Sequence, residues 1–126
     1  MKILIVDDSL GWRNFHKQTM SELFPDAEID TADWARDGYD LAYNNMNTPY
    51  DIIISDLQME EDFAPKYAGE WFIEQVKLLS AYNNAKIIII SATYNIKSIA
   101  ENLKVDYIPK RIAAQTIDVY KDILNI

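Results

Sequence analysis

The sequence predicts an α/β fold: a doubly wound parallel sheet with helices on both faces. Three observations predict it. Short apolar runs recur along the chain, as in Ile3-Leu4-Ile5-Val6, Ile52-Ile53-Ile54 and Ile87-Ile88-Ile89-Ile90. Runs without apolar–polar alternation mark strands buried on both faces. Between these runs the apolar spacing becomes helical. Finally, the runs end on polar residues: Asp7 and Asp8, Ser55-Asp56, Ser91, and Lys110 after Val105-Asp106-Tyr107-Ile108-Pro109. In an open parallel sheet, chemistry gathers outside the carboxyl ends of the strands.

Each element follows in order. The first strand begins at Lys2. Trp12, Phe15, Thr19, Met20 and Leu23 then keep helical spacing until Pro25-Asp26 stops the helix. Ile29 and Thr31 mark a weaker second strand. Trp34, Gly38, Leu41, Ala42 and Met46 continue as a helix, broken near Asn47-Thr48-Pro49. The third strand runs to Asp56. Phe72, Val76 and Leu79 mark a helix beginning near Ala68. The fourth strand follows Lys86, and a short helix from Ile96 to Leu103 leads to the fifth. Ile112, Thr116, Val119 and Ile123 give the last helix an inner stripe. The result is a succession of βα units with no repeat and no low-complexity tract. Right-handed crossovers then favour a three-layer sandwich.

Composition narrows the function. The 126 residues suit one domain, 1–126, and 49% hydrophobic content suits a real core. No apolar run approaches the length of a membrane helix. A first strand at Lys2 leaves no room for a signal peptide, so the expected location is cytoplasmic. There is no cysteine, hence no disulfide framework and no thiol chemistry. The net charge of −8, with no basic cluster, argues against direct nucleic-acid binding. No Gly-rich phosphate loop follows the first strand, which argues against a dinucleotide fold.

The residues at the strand ends suggest phosphoryl transfer to a carboxylate. Clustered Asp7, Asp8 and Asp56 repel one another; at about 4 Å and an effective dielectric of 20, each pair costs roughly 4 kcal/mol. A divalent cation relieves that cost, and hard oxygen ligands suit magnesium. In this reading Asp56 is the nucleophile and Asp7 and Asp8 hold the metal. Lys110 supplies a second positive charge, and the Ser91 hydroxyl a hydrogen bond to a phosphoryl oxygen. Asp after a strand is also a common helix N-cap or turn residue, so each carboxylate alone has a structural reading. His16, on the first helix, is expected to be exposed rather than a phosphodonor. Trp12 is expected near the metal, with the other Trp and Tyr residues mostly packing.

The ordered set resembles the response-regulator receiver domain, of the CheY-like family, over essentially the whole chain. Asp7-Asp8 in Ile-Val-Asp-Asp-Ser matches the family's acidic pair. Asp56 in Tyr-Asp-Ile-Ile-Ile-Ser-Asp-Leu-Gln-Met matches its phosphoacceptor. Ser91-Ala92 matches its hydroxyl residue, Lys110 its lysine and Tyr107 its aromatic switch position. Ala35-Arg36-Asp37-Gly38-Tyr39-Asp40-Leu41-Ala42 is similar to its second helix. The resemblance implies a flavodoxin-like five-stranded sheet of order 2-1-3-4-5. It also implies Mg2+ (or Mn2+) at Asp7, Asp8, Asp56 and the backbone carbonyl of Gln58. The side chains of Gln58 and Thr93 would tune hydrolysis. The implied partners are a sensor histidine kinase or histidine phosphotransfer protein and a downstream protein target. The only catalysis implied is of the domain's own phosphorylation and dephosphorylation.

Three features depart from the family. The segment from Leu57 to Ala68 is long and, through Glu60, Glu61 and Asp62, acidic. It reads either as a solvated insertion or as a partner-recognition loop beside the site. The stretch from Ser91 to Tyr107 is short, so a truncated fourth helix is expected and the usual output surface is in doubt. Arg111 stands where the family has proline; a trans Lys110–Arg111 peptide is expected, or a cis one held by strain. These departures leave an alternative: a receiver-like interaction module that no longer cycles phosphate. A haloacid-dehalogenase phosphatase is disfavoured by the absence of its DxDx[TV] signature.

Overall fold

The computed structural model describes residues 1–59 and 66–126. Acidic Glu60, Glu61 and Asp62 therefore lie outside the described residues. Strands β1 (Lys2–Val6), β2 (Glu28–Ala32), β3 (Ile52–Ser55), β4 (Lys86–Ser91) and β5 (Asp106–Pro109) form one parallel sheet of order β2-β1-β3-β4-β5. The helices are α1 (Leu10–Leu23), α2 (Ala35–Asn44), α3 (Ala68–Lys77), α4 (Ile96–Leu103), α5 (Lys110–Ala113) and α6 (Asp118–Leu124). A 3-10 turn, Ser80–Tyr82, precedes β4. No helix among the described residues is long and apolar enough to cross a membrane.

The isoleucine runs are continuous because the sheet buries both faces. Leu4, Val6, Ile53, Ile87 and Ile89 pack with Ala42, Phe72, Val76 and Ile99 of α2, α3 and α4. Their neighbours Ile3, Ile5, Ile52, Ile54, Ile88, Ile90 and Ile108 face the other way, toward Met20 of α1, Ala113 of α5 and Tyr120 of α6. Alternate side chains thus serve two cores, as the pleat requires. Tyr107 and Ile108 fall on opposite faces, with Tyr107 half-buried against the α2–α4 side.

The helices start and stop for local reasons. Ser9 caps α1 by accepting the Trp12 amide at 3.3 Å. At the start of α3, the Glu70 carboxylate accepts the Tyr67 amide at 3.2 Å. The fourth helix is short, as expected. It ends where Lys104 takes a left-handed conformation at φ 58°, and the Lys77 ammonium reaches the Leu103 carbonyl at 2.5 Å.

Three expectations need correction. The last helix is not continuous: the Thr116 hydroxyl accepts the Asp118 amide at 3.1 Å, offering the backbone a turn between α5 and α6. Thr116 is therefore exposed, while Ile112, Val119 and Ile123 do face the core and Tyr120 is fully buried among them. Trp34 is not on the inner stripe of α2. It precedes the helix in extended backbone and is 46% exposed. His16 is not exposed but fully buried, because it shares the i, i+4 row of α1 with Trp12 and Met20.

Candidate functional site

The carboxyl ends of β1, β3, β4 and β5 bring the predicted residues together. Asp7 and Asp8 follow β1, Asp56 follows β3, Ser91 ends β4, and Lys110 follows β5 as the first residue of α5. Carboxylate oxygens of Asp7, Asp8 and Asp56 all lie within 4.8 Å of one another. Asp7 and Asp56 are buried and Asp8 is half-buried.

The backbone sets the two buried acids. The Asp56 amide donates to the Val6 carbonyl at 2.9 Å, carrying the β1–β3 ladder past the strand end. The Leu57 amide then donates to Asp56 Oδ1 at 2.7 Å. Asp7 Oδ1 accepts the Ser9 amide at 2.9 Å, and Arg13 donates to the Asp7 carbonyl at 2.8 Å. Gly69 keeps α3 against this loop. Its amide donates to the Leu57 carbonyl at 3.0 Å, and a Cβ there would lie 2.0 Å from the Asp56 carbonyl oxygen.

One cation serves both buried acids. Lys110 Nζ lies 2.7 Å from Asp56 Oδ2 and 3.1 Å from Asp7 Oδ2, with its ammonium 5.0 Å from the centre of the Trp12 ring. Burial alone would push the Lys110 ammonium down, but Asp56 and then Asp7 outweigh it and hold its pKa above the ordinary lysine value. Burial pushes the Asp56 carboxyl up; Lys110 opposes this, Asp7 reinforces it, and the net shift is upward. Burial also pushes Asp7 up, but His16, the Ser9 amide and Lys110 together bring it below the ordinary value. The environment therefore separates two adjacent acids: Asp7 is the firmer anion, Asp56 the more readily neutralised one.

Ser91, Thr93 and Tyr107 line a pocket together with Lys110. The buried Ser91 and Thr93 hydroxyls lie 2.9 Å apart, and the Thr93 amide donates to Ser91 Oγ at 3.3 Å. Gln58 is exposed two positions beyond Asp56. Tyr107 pairs in register with Ile89, two residues before Ser91.

The pocket suits a hard divalent cation. Its donors are carboxylate oxygens, and Asp7 Oδ2 is buried without a hydrogen bond, so an oxygen lone pair is available in the cluster. His16, Arg13 and Gly69 are the contributors that sequence reasoning missed. The position of His16 on the Trp12–Met20 row was a usable signal for the first. Nothing in the sequence marks the close approach of Gly69 to the backbone of Asp56 and Leu57.

This parallel sheet of order β2-β1-β3-β4-β5, with helices on both faces, is the flavodoxin-like fold of response-regulator receiver domains. Solved structures agree. The signal receiver domain of a DNA-binding response regulator from Colwellia psychrerythraea superposes with a TM-score of 0.77 at 22% identity, covering 100% of this chain and 99% of that one. The chemotaxis protein CheY4 of Vibrio cholerae gives a TM-score of 0.74 at 21% identity, covering 98% and 95%. The phosphorylated cyanobacterial phytochrome response regulator RcpA gives 0.75 at 18% identity, covering 97% and 89%. No protein-family model matches the sequence, and no curated protein matches it. At these identities the likeness establishes the fold.

Proposed function

We propose that this chain is a phosphoacceptor signalling switch of a two-component phosphorelay, a single receiver domain spanning 1–126 with Asp56 as its phosphorylation site. One observation carries the reading: a buried carboxylate, Asp56, lies against the Lys110 ammonium at 2.7 Å and within 4.8 Å of the Asp7–Asp8 pair. A carboxylate so placed has a counter-charge on one side and a cation-binding cluster on the other, which is what in-line phosphoryl transfer needs.

The donor is a phosphohistidine of a sensor histidine kinase or a histidine phosphotransfer protein. An Asp56 carboxylate oxygen attacks phosphorus. The P–N bond breaks, its electron pair returns to the donor imidazole, and an acyl phosphate forms on Asp56. Asp7, Asp8, Asp56 and the Gln58 backbone carbonyl would hold a magnesium ion, or manganese in its place, which would supply positive charge to the phosphoryl oxygens. Lys110 follows the charge from the carboxylates to a phosphoryl oxygen. The Ser91 hydroxyl exchanges its contact with Thr93 for a hydrogen bond to another. Gln58 and Thr93 side chains flank the phosphoryl group and limit the approach of hydrolytic water. The domain thus catalyses only its own phosphorylation and dephosphorylation.

Output is a two-state shift, with Tyr107 repacking as Ser91 moves, read by a downstream protein partner. An acidic surface with a net charge of −8 disfavours nucleic acid as that partner. We place the protein in the cytoplasm, with such kinases' transmitter domains.

The test is incubation with acetyl phosphate and magnesium, followed by intact-mass measurement. One phosphoryl group should add, labile to base and hydroxylamine, and Asp56→Asn should not take it up. Addition to the Asn variant moves the site elsewhere. No addition with any donor favours an interaction module that no longer cycles phosphate.

A further inference from the structure

His16 is the single histidine of the chain, fully buried on α1. Its ring is walled by Trp12 and Phe15, with centroids 5.5 and 6.0 Å away. Neither ring nitrogen makes a hydrogen bond. The polar atom that Nε2 faces is Asp7 Oδ2 at 3.6 Å, about 0.4 Å beyond hydrogen-bonding range. Asp7 Oδ2 is itself buried and accepts no hydrogen bond; its charge is met by the Lys110 ammonium at 3.1 Å. A buried donor and a buried acceptor therefore stand almost in contact while Lys110 compensates the acceptor from the other side.

We infer that His16 is a positioning residue that takes over Asp7 when Lys110 is drawn to a phosphoryl group on Asp56. The inference rests on the phosphoacceptor reading above. Lys110 is now shared between two carboxylates. A phosphoryl group brings more negative charge and better acceptors than the carboxylate oxygen it esterifies, so the ammonium moves toward it. Asp7 Oδ2 then loses its ammonium contact and, buried as it is, has no hydrogen-bond donor of its own, which is costly even with a divalent cation on the cluster. The imidazole closes the remaining gap by a small side-chain rotation, and its Nε2–H donates to Oδ2. With Oδ1 held by the Ser9 amide at 2.9 Å and Oδ2 held by His16, the Asp7 carboxylate keeps its plane through the switch. Fixing the second bond of a metal-binding carboxylate is a known way to preserve site geometry.

A single histidine makes the test clean. In 15N-labelled protein, its two ring nitrogens are read by long-range correlation NMR, before and after magnesium and beryllofluoride. Backbone amides of Asp56 and Leu57 report independently on occupancy of the site. The expected result is that these amides shift and His16 Nε2–H becomes a slowly exchanging, hydrogen-bonded donor. Shifted Asp56 and Leu57 amides with an unchanged imidazole overturn the inference and leave the phosphoacceptor reading standing. Unchanged Asp56 and Leu57 amides overturn both.

Variants separate positioning from packing. His16→Gln keeps a donor near the Nε2 position, while His16→Met fills the space without one. Beryllofluoride affinity should fall about tenfold in His16→Met and recover in His16→Gln, both being folded by circular dichroism. Equal affinities in the two variants overturn the inference. If His16→Met does not fold, the imidazole spectra of the unaltered protein decide alone.

Discussion

Gly69 sits against the backbone of Asp56 so closely that a Cβ would lie 2.0 Å from the Asp56 carbonyl oxygen and 2.7 Å from the Leu57 Cα. Both obstacles are backbone, and neither can rotate aside. Gly69→Ala must push the first turn of α3 away from the Asp56–Leu57 backbone. The expected cost is about 1–3 kcal/mol of stability, as for other overpacked sites. Phosphoryl uptake should slow with it, because Asp56 Oδ1 is held by the Leu57 amide. Urea unfolding and acetyl phosphate labelling of the variant check both parts. Unchanged stability would show that α3 shifts freely.

Lys110 occupies carboxylate oxygens that a divalent cation would use. Lys110→Met removes the ammonium that lies 2.7 Å from Asp56 and 3.1 Å from Asp7. The carboxylates are then left to a divalent cation, and magnesium or manganese affinity should rise about tenfold. Phosphoryl transfer should fall by at least as much, since the transferred charge loses a stabilising partner. Tryptophan fluorescence should report the binding through Trp12, and Trp12→Phe should abolish that signal. Asp8→Asn should weaken metal binding in the same titration; equal curves for Asp8→Asn and the unaltered protein would remove the metal from this cluster.

Alkaline stability turns on buried phenols. The Tyr120 hydroxyl is buried with no hydrogen bond, and burial raises its pKa well above the ordinary tyrosine value. Burial, and then the Asp30 carboxylate that accepts the Tyr50 hydroxyl at 2.6 Å, raises Tyr50 likewise. A raised folded-state pKa favours the neutral form, so the contribution to stability is full below the unfolded value of about 10 and is lost as pH climbs above it. Tyr120→Phe removes one such group and an unsatisfied hydroxyl. Stability at pH 7 should rise by about 1 kcal/mol, with a shallower decline above pH 10. Urea titrations at both ends of that range measure it; a loss of stability at pH 7 would reveal a partner for the hydroxyl.

Ser91 and Thr93 satisfy each other at 2.9 Å in the resting arrangement. On the proposed switch, the Ser91 hydroxyl would turn to a phosphoryl oxygen and open space beside β5, where Tyr107 is half-buried. The Tyr107 ring should move inward with beryllofluoride present. Ring-labelled Tyr107 should therefore change its environment together with Ser91. A Tyr107 spectrum that stays constant while Ser91 shifts would route output elsewhere, with the Glu60–Asp62 segment the next candidate.

The sheet was legible because Ile52–Ile54 and Ile87–Ile90 are apolar on both faces, a pattern that a parallel sheet covered on both sides requires. Asp7, Asp56, Ser91 and Lys110 were legible as a group for the same reason: parallel strands deliver their carboxyl ends to one edge. Their convergence is a property of topology, not of local sequence. The burial of His16 was obscured by residue type, since a titratable side chain invites an exposed reading even on an inward row. The break at Thr116 depends on a hydroxyl choosing the Asp118 amide over the helix, and apolar spacing is blind to that choice. Gly69 required knowledge of which backbone passes beside it.

The pocket is anchored unequally. Asp7, Asp8 and Asp56 follow β1 and β3, each of which has a strand on either side. Lys110 follows β5, an edge strand, and leads into a helix of 4 residues. Amide protons beside the acids should therefore exchange with solvent only through near-global unfolding, while those around the lysine exchange through cheaper local opening. The acidic half is part of the cooperative unit; the lysine half is attached to it. Conditions that loosen β5 alone should therefore leave Asp7, Asp8 and Asp56 gathered at one edge while the ammonium between Asp7 and Asp56 is withdrawn.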